Sequence, residues 1–274
     1  MQVRSVWLAI TFVLSAFASA EVFEPKLFAF YNGAPDLPLD QQARFLKAQG
    51  YAGISQVYAN ELGEKLNERV QAYEAAGSQV LSVYLPATAQ PIEEKQLKVL
   101  ANHGAMIELT VKEVTPEVLT SIRKTATIAE GLNLKVALYP HYGNAIATVP
   151  QALELISQVK HPNLGLMFNL CHFLKSEKAS TLEHVLEKSG DRLFAVSTCG
   201  ADLDGADWKE LIQTLDQGSF PQVRLFKKLK ELGYKGPISL QCYNLKGDRE
   251  ENLKRSMKAW NNVFLEINRK KSAR

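Results

Sequence analysis

Side chains that can move protons follow two apolar segments near the middle of the sequence. His141 comes two residues after the segment 134–139, and Asn169 and His172 come just after the segment 164–168. An unperturbed imidazole has a pKa of about 6.5, so a histidine can give or take a proton near neutral pH. His141 and His172 are therefore candidates for an acid and a base. Asn169 is a candidate for positioning a substrate beside them.

Three more polar side chains close apolar segments of the same kind. Tyr139, Ser197 and Gln241 each stand at the last position of such a segment. Their hydroxyl and amide groups can both donate and accept hydrogen bonds, which suits recognition of substrate hydroxyls. We therefore include them as candidate substrate-binding residues.

Charged residues near two other segment ends leave alternatives open. Glu108 and Lys112 are spaced to share one face of a strand, where they either form an internal ion pair or contact a substrate. Lys246 lies just before the predicted start of the last helix and is suited to an anion such as a sugar acid or a phosphate. Asp248, as the expected cap of that helix, competes for the same backbone amides.

Eight apolar, β-branched segments alternate with helical segments and are predicted to be strands: 26–31, 53–58, 79–85, 106–111, 134–139, 164–168, 193–197 and 237–241. Strict alternation predicts a parallel sheet, because parallel neighbours need a crossover connection. Eight units in one chain of this length favour an α/β fold of the closed (β/α)8 TIM barrel type in a single domain. A doubly wound sheet is the alternative, but no Gly-x-Gly-x-x-Gly pattern follows the first strand. Barrel closure brings all the strand ends to one face.

The sequence also predicts where several helices begin and end. Thr115 followed by Pro116 predicts a helix start, and Gly131 predicts the end of that helix. Asp248 predicts the start of the last long helix.

The first twenty residues have the pattern of an export signal. Arg4 precedes an apolar run over 6–17, and the small residues 18–20 form a cleavage site. We expect a signal peptide over 1–20, a barrel over 21–274, and a periplasmic or secreted location without membrane contact after cleavage. An uncleaved N-terminal anchor is the alternative, although the apolar run is short for a membrane span.

The charge balance gives no indication of a polyanionic partner. The formal net charge of +3 is close to balanced, so neither nucleic acid nor an anionic membrane is expected as a partner. The basic run at 269–274 has no interleaved aromatic residues and is expected to be a solvated end. Three histidines on predicted helices or their ends are expected at the surface: His103, His161 and His184.

The 3 cysteines, Cys171, Cys199 and Cys242, all fall at or just beyond predicted strand ends. An odd number allows at most one internal disulfide in an exported protein. Small buried side chains without a chemical role are one interpretation. A soft zinc site that combines the cysteines with His141 and His172 is the other, although strand alternation turns Cys242 away from the inward Gln241.

Four stretches carry a resemblance to a known family: VALYPH at 136–141, PNLGLMFNLCH at 162–172, RLFAVS at 192–197 and GYKGPISLQ at 233–241. Over essentially the whole chain after the signal, the sequence resembles the xylose isomerase-like barrel superfamily. That superfamily includes sugar isomerases and epimerases, inosose dehydratase-type lyases and family 2 apurinic endonucleases. The resemblance implies a divalent metal ion bound by Glu, Asp, His, His and Glu at the ends of strands five to eight. The two glutamates then act as acid and base beside a substrate carbonyl.

The positions that match those ligands have mostly neutral side chains here. They are Tyr139, Asn169, His172, Ser197 and Gln241, so only the histidine is kept. A hard cation needs anionic oxygens to offset its dehydration, and we expect the inherited site to bind a divalent metal weakly or not at all. Amides cannot titrate, which leaves His141 and His172 as the expected proton carriers.

Tyrosines at several strand ends indicate the kind of ligand. Tyr31, Tyr58, Tyr84 and Tyr139 combine aromatic faces with polar tips, a combination suited to a carbohydrate. The sequence thus predicts a sugar isomerase, epimerase or lyase that acts on a carbohydrate or keto sugar. The alternative is a non-catalytic relative that binds a carbohydrate or a partner protein. Nuclease activity is a third, weaker possibility, because the metal-ligand set is incomplete and no basic face is evident.

Overall fold

Within residues 22–269, ten short strands, all paired in parallel, surround the centre of the protein. They are β1 Leu27–Phe30, β2 Gly53–Ser55, β3 Val57–Tyr58, β4 Gln79–Val80, β5 Ser82–Pro86, β6 Met106–Thr110, β7 Lys135–Leu138, β8 Leu164–Asn169, β9 Leu193–Thr198 and β10 Ile238–Leu240. The computed structural model describes residues 22–269. The predicted signal peptide and most of the basic run at the C-terminus lie outside the described residues.

The ten strands form eight staves of a closed barrel. β2 and β3 are two parts of one stave, interrupted at Gln56, and β4 and β5 are two parts of the next, interrupted at Leu81. β2 pairs with β4 and β3 pairs with β5, while β1 pairs with both β2 and β10, so the ring closes. The (β/α)8 prediction is confirmed. Each predicted strand segment is found to within one residue at either end.

Helices follow the staves and cover the outside of the barrel. They are α1 Leu39–Ala48, α2 Glu64–Ala75, α3 Glu94–Leu97, α4 Pro116–Gly131, α5 Val149–Val159, α6 Leu170–Ser176, α7 Leu182–Ser189, α8 Trp208–Leu211, α9 Gln222–Glu231 and α10 Arg249–Asn268. The predicted caps are present: Thr115 accepts a hydrogen bond from the N–H of Val118 at 3.3 Å, and Asp248 accepts one from Glu251 at 2.8 Å.

Among the helices of residues 22–269, none combines the length and apolarity that a membrane span requires.

Two layers of apolar side chains hold the barrel together. The larger cluster lies between strands and helices, and the smaller one fills the barrel interior: Phe28, Phe30, Leu81, Met106, Ala137, Tyr139, Met167 and Ala195. Full burial of one large apolar side chain contributes roughly 1.5–3 kcal/mol. Beyond this interior cluster, towards the carboxyl ends of the strands, the inward side chains become polar.

One close approach inside the barrel requires a glycine. A Cβ atom added to Gly165 of β8 lies only 2.5 Å from the ring of Phe194 and 2.6 Å from the carbonyl oxygen of Arg192. Gly131, the last residue of α4, has no atom within 4 Å of the equivalent position.

We predict that Gly165→Ala lowers the free energy of unfolding by about 1–3 kcal/mol, because the overpacked barrel must shift backbone to make room. Gly131→Ala is the matched control and should raise stability slightly, by up to about 1 kcal/mol, through the better helix propensity of alanine. Urea unfolding followed by circular dichroism measures both. Equal stability of the two variants would show that the barrel accommodates the methyl group.

Candidate functional site

A cavity of about 570 Å³ opens at the carboxyl end of the barrel. Its wall brings together four of the predicted site residues: Tyr139, His141, His172 and Gln241. The other lining residues come from further strand ends and from loops: Asn32, Gln56, Tyr58, Tyr84, Tyr142, Gly143, Trp208, Ile212 and Tyr243. The cavity therefore lies where parallel barrels bind their ligands.

The remaining predicted residues are placed differently. Asn169, Ser197 and Glu108 are buried inside the barrel and do not line the cavity. The hydroxyl oxygen of Ser197 has no hydrogen-bond partner in the described residues. Lys246 is exposed in the loop before α10, where its ammonium group donates to Asn244 at 3.3 Å. The structure thus separates Lys246 from the cavity that holds the histidines.

His141 and His172 are neighbours in the cavity wall, with ring centroids 4.1 Å apart. One residue, Tyr142, hydrogen-bonds to both rings through its backbone. Its carbonyl oxygen lies 2.8 Å from Nδ1 of His141, and its N–H donates to Nδ1 of His172 at 3.2 Å. A carbonyl can only accept, so Nδ1 of His141 carries a proton and Nε2 of the neutral ring is a free acceptor. A backbone N–H can only donate, so the neutral His172 carries its proton on Nε2.

Both imidazoles are held in the neutral form near pH 7. Burial lowers the pKa of His141, although the hydrogen bond to the Tyr142 carbonyl acts in the opposite direction. Burial lowers the pKa of His172 well below its usual range, and a charge on His141 would lower it further. The cavity therefore presents one imidazole that can accept a proton and one that can donate it.

The side-chain amides of Asn169 and Gln241, at positions that match the metal ligands of the family, already form hydrogen bonds within the protein. The Oδ1 atom of Asn169 accepts hydrogen bonds from the N–H of His172 at 3.2 Å and from the thiol of Cys171 at 3.0 Å, so it caps α6. The Oε1 atom of Gln241 accepts the next two backbone N–H groups, each at 2.9 Å. The Nδ2 group of Asn169 donates to the hydroxyl of Tyr139. Both amides therefore fix loops and side chains at the carboxyl end of the barrel.

This donor set does not fit the divalent ion of the family. A hard cation binds carboxylates and free carbonyl oxygens, whereas the two amide oxygens here already accept N–H groups. Within residues 22–269, no three or more His, Cys, Asp or Glu side chains come together as metal ligands. The alternative zinc site built from histidines and cysteines is therefore not assembled in this part of the chain.

The three cysteines are buried free thiols. The thiol of Cys199 contacts Cys171 and donates to the carbonyl oxygen of Leu211 at 3.2 Å. Burial raises the pKa of Cys242, which packs directly against Gly33. The surroundings of Cys199 and Cys242 raise the pKa of both thiols, and the burial of all three agrees with the interpretation as small buried side chains.

Glu108 is a carboxyl group enclosed in the barrel without a cation. Lys112 is exposed, and no ion pair joins the two in the described residues, so the internal ion pair is ruled out. Instead, Nε2 of Gln56 donates to one carboxyl oxygen of Glu108 at 2.5 Å, and the other oxygen has no partner. Burial raises the pKa of Glu108 to about 7, against the opposing hydrogen bonds of Ser82 and Gln56. At neutral pH the group is thus close to half protonated.

Gln56 links Glu108 to the cavity and was not among the residues predicted from the sequence. Its backbone has a φ of 55°, a left-handed conformation that costs energy in a residue other than glycine. This conformation interrupts the second stave and directs the side chain to Glu108 and to the hydroxyl of Tyr139. A polar residue in the middle of the apolar segment 53–58 was the available signal.

Aromatic side chains line one side of the cavity. The rings of Tyr58 and Tyr84 lie 6.2 Å apart, and those of Tyr84 and Tyr139 lie 5.2 Å apart. Trp208, which the sequence analysis also missed, contacts His172 with a centroid distance of 5.1 Å. It is the first residue of α8 and closes the wall there, and no regular pattern in the sequence marks it.

The fold and the cavity define a class of protein: a parallel (β/α)8 barrel with a polar and aromatic ligand site at the carboxyl ends of its strands. A family model described as xylose isomerase-like TIM barrel matches residues 95–263. The chain therefore belongs to the xylose isomerase-like TIM barrel family, as the resemblance predicted.

Two curated relatives match about half of the chain each. An uncharacterized protein of Methanocaldococcus jannaschii is 24% identical over 139 residues, which are 50% of this chain and 46% of that protein. A protein of Synechocystis described as a probable ketose 3-epimerase is 29% identical over 134 residues, which are 48% of this chain and 42% of that protein. The chain thus spans less than half the length of these relatives.

A solved structure is similar over a longer range. The 3-keto-D-glucoside 4-epimerase of E. coli, in its apo form, has a TM-score of 0.71 at 17% identity. The match covers 88% of this chain and 100% of that chain. At this identity the likeness shows a shared fold.

We predict that Glu108→Gln makes the stability of the protein less sensitive to a rise in pH from about 5 to about 8. In the folded protein the carboxyl binds its proton more tightly than in the unfolded chain, where the pKa is 4.5. Its contribution to stability is therefore complete below pH 4.5 and is lost as the pH rises through about 7. The variant should gain up to roughly 3 kcal/mol over the wild type between about pH 5 and pH 8.

Urea unfolding at a series of pH values measures this difference. Glu113→Gln changes an exposed carboxyl nearby and is the matched control, with the pH dependence of the wild type. If Glu108→Gln also keeps the wild-type pH dependence, the buried carboxyl is not held in its protonated form.

Proposed function

We propose that this protein catalyses proton transfer at a carbon next to the carbonyl group of a keto or aldehyde sugar, as in isomerisation, epimerisation or elimination. The observation that carries the proposal is the pair of neutral histidines with opposite tautomers. Nε2 of His141 is the base, and the Nε2–H group of His172 is the acid. Both rings line the same cavity, 4.1 Å apart.

The chemical step follows from these two nitrogen atoms. Nε2 of His141 takes the proton from the carbon, the C–H bond breaks, and its electron pair forms the double bond of the enediol. The substrate carbonyl oxygen receives its proton from Nε2 of His172. His141 then returns its proton to the same carbon in epimerisation or to the neighbouring carbon in isomerisation, while an enediol hydroxyl gives its proton back to Nε2 of His172 as the carbonyl group forms again. In elimination, His141 gives its proton to the neighbouring hydroxyl, which leaves as water, and the enol hydroxyl returns its proton to His172. A neutral imidazole is a known electrophile for such carbonyl groups.

The ligand class is inferred from the wall of the cavity. Tyr58, Tyr84 and Tyr139 offer aromatic faces to the apolar side of a sugar ring, and Asn32 and Gln241 offer amide groups at the rim. The related sequence described as a probable ketose 3-epimerase and the related structure of a keto-glucoside epimerase support a carbonyl-bearing sugar. The sequence and the geometry favour the same class of ligand.

A non-catalytic carbohydrate-binding protein is the second candidate, and one observation favours it. The amides at the metal-ligand positions, Asn169 and Gln241, direct their oxygens to backbone N–H groups of the fold. Such a protein would use the cavity for binding and the histidines for hydrogen bonds alone. The test below separates the two functions.

We predict that the protein exchanges a carbon-bound hydrogen of its sugar for solvent deuterium. His141→Gln and His172→Gln should each slow this exchange by about 10²–10⁴-fold, the usual contribution of a general acid or base. His184→Gln, on the exposed face of α7, is the matched control and should keep the wild-type rate. Mass spectrometry of a panel of keto sugars incubated in D₂O measures the rates. Sugar binding without any exchange would instead establish the non-catalytic function.

The pH dependence gives a second test of the base. His141 must be neutral to accept a proton, and burial lowers its pKa. The exchange rate should therefore stay constant from about pH 8 down to the usual histidine value of about 6.5 and fall only at lower pH. A rate that already falls between pH 8 and 7 would contradict the role of His141 as the base.

We also propose that the protein works outside the cytoplasm, on the basis of the export signal predicted over residues 1–20. N-terminal sequencing of the protein from the periplasmic or secreted fraction should then begin at Glu21. An intact N-terminus in the membrane fraction would support the uncleaved anchor, and one in the cytoplasm would contradict export.

A further inference from the structure

A second cavity, of about 700 Å³, adjoins the first. The two share Asn32, Tyr58 and Tyr243 in their walls, so these residues flank the passage between them. Each cavity alone is large enough for a small-molecule ligand. The proposed proton transfer uses only the first, and the second has no part in it.

Polar groups in the second cavity are only partly satisfied by the protein. Arg69 is buried and donates to Glu61 at 2.9 Å and to Gln42 at 3.0 Å, while its Nε atom has no partner. Arg249 donates to the carbonyl oxygen of Ala34 at 2.9 Å, and no ion pair joins it to a carboxylate in the described part of the chain. A buried atom such as Nε of Arg69 that lacks a protein partner is commonly satisfied by a bound water or ion, and a polar ligand can take that place.

Asn32 lies at the junction of the two cavities. Its Nδ2 group donates to the hydroxyl of Tyr58 and to Oε1 of Gln241, both at 3.3 Å. Its Oδ1 atom is buried and has no partner. This oxygen is therefore an acceptor without a partner at the junction of the two cavities.

The charges near the second cavity are close to balanced. Glu61 neutralises Arg69, and the carboxylate of Asp36 lines the same cavity as Arg249. A phosphate or sulfate group favours a surplus of positive charge, which is absent here. Guanidinium and amide groups beside tyrosine rings suit the hydroxyls and the apolar face of an uncharged sugar.

We propose that the second cavity binds the second ring of a neutral disaccharide or other glycoside, while the ring that carries the carbonyl group occupies the first. This inference rests on the proposed sugar chemistry of the first cavity and extends it to a substrate class. Tyr243, whose surface is 54% exposed, lies beside the passage and is free to stack on the ring that crosses it.

The test compares the affinities of one-ring and two-ring keto sugars by titration calorimetry. The probes are fructose and four glucosyl-fructoses, namely turanose, maltulose, leucrose and palatinose, which attach the second ring at different hydroxyls. At least one disaccharide should bind about tenfold or more tightly than fructose, since the second ring adds hydrogen bonds to a charged group.

Arg249→Gln should reduce the ratio of disaccharide to fructose affinity by about tenfold. Arg255→Gln is the matched control on the same helix. Arg255 lines neither cavity and forms an ion pair with Asp216 at 2.7 Å, so this variant should keep the wild-type ratio. Leu37→Trp fills the second cavity and should reduce the ratio in the same way. Arg249→Gln removes a contact, and Leu37→Trp fills the space. If both variants lower the affinity ratio, the cause is loss of the second-ring site and not a folding defect.

The outcomes separate this inference from the proposed function. Fructose binding with no gain for any disaccharide would overturn the second-ring site and leave the first cavity as proposed. No binding of any of the five sugars would overturn the proposed sugar site and the inference with it. If fructose 6-phosphate gains more than every disaccharide, and Arg249→Gln removes that gain, the second cavity is an anion site instead.

Discussion

The backbone of Tyr142 holds both histidines of the cavity, and the chemistry of the site depends on those two hydrogen bonds. Its carbonyl oxygen fixes the proton of His141 on Nδ1, and its N–H fixes the proton of His172 on Nε2. Two imidazoles without such partners would each exchange between tautomers. The barrel makes this arrangement possible because adjacent staves β7 and β8 end side by side, which brings residues 30 positions apart into contact.

The amides at the positions that match the metal ligands of the family have a structural role in this protein. Asn169 caps α6 and so fixes the backbone that carries His172. Gln241 accepts the N–H groups of the loop after β10, which carries Tyr243 to the passage between the cavities. A carboxylate could accept the same N–H groups, but it would bring a negative charge into a buried site. The neutral side chains keep the geometry of the strand ends without that cost.

The sequence allowed the barrel to be predicted because its pattern is local. Alternation of apolar and helical segments, and caps such as Thr115 and Asp248, depend on residues close together in the chain. The same reasoning placed His141 and His172 in one cavity, since both follow strand ends. It could not predict Gln56, whose left-handed backbone is imposed by tertiary contacts inside an apparently continuous strand. The hydrogen bonds of Tyr142 and the position of Trp208 likewise depend on the paths of loops, which obey no simple periodicity.

Burial sets the charge state of the titratable groups in and below the cavity. It lowers the pKa values of His141 and His172, so both rings are neutral near pH 7, and it raises that of Glu108, which is close to half protonated there. Glu108 connects to the cavity through Gln56, whose side chain also reaches Tyr139. A site assembled from neutral donors and acceptors does not attract a metal ion or a phosphate by charge. Hydrogen-bond direction and aromatic contact are what such a site offers to a ligand, and this agrees with the proposal of an uncharged sugar.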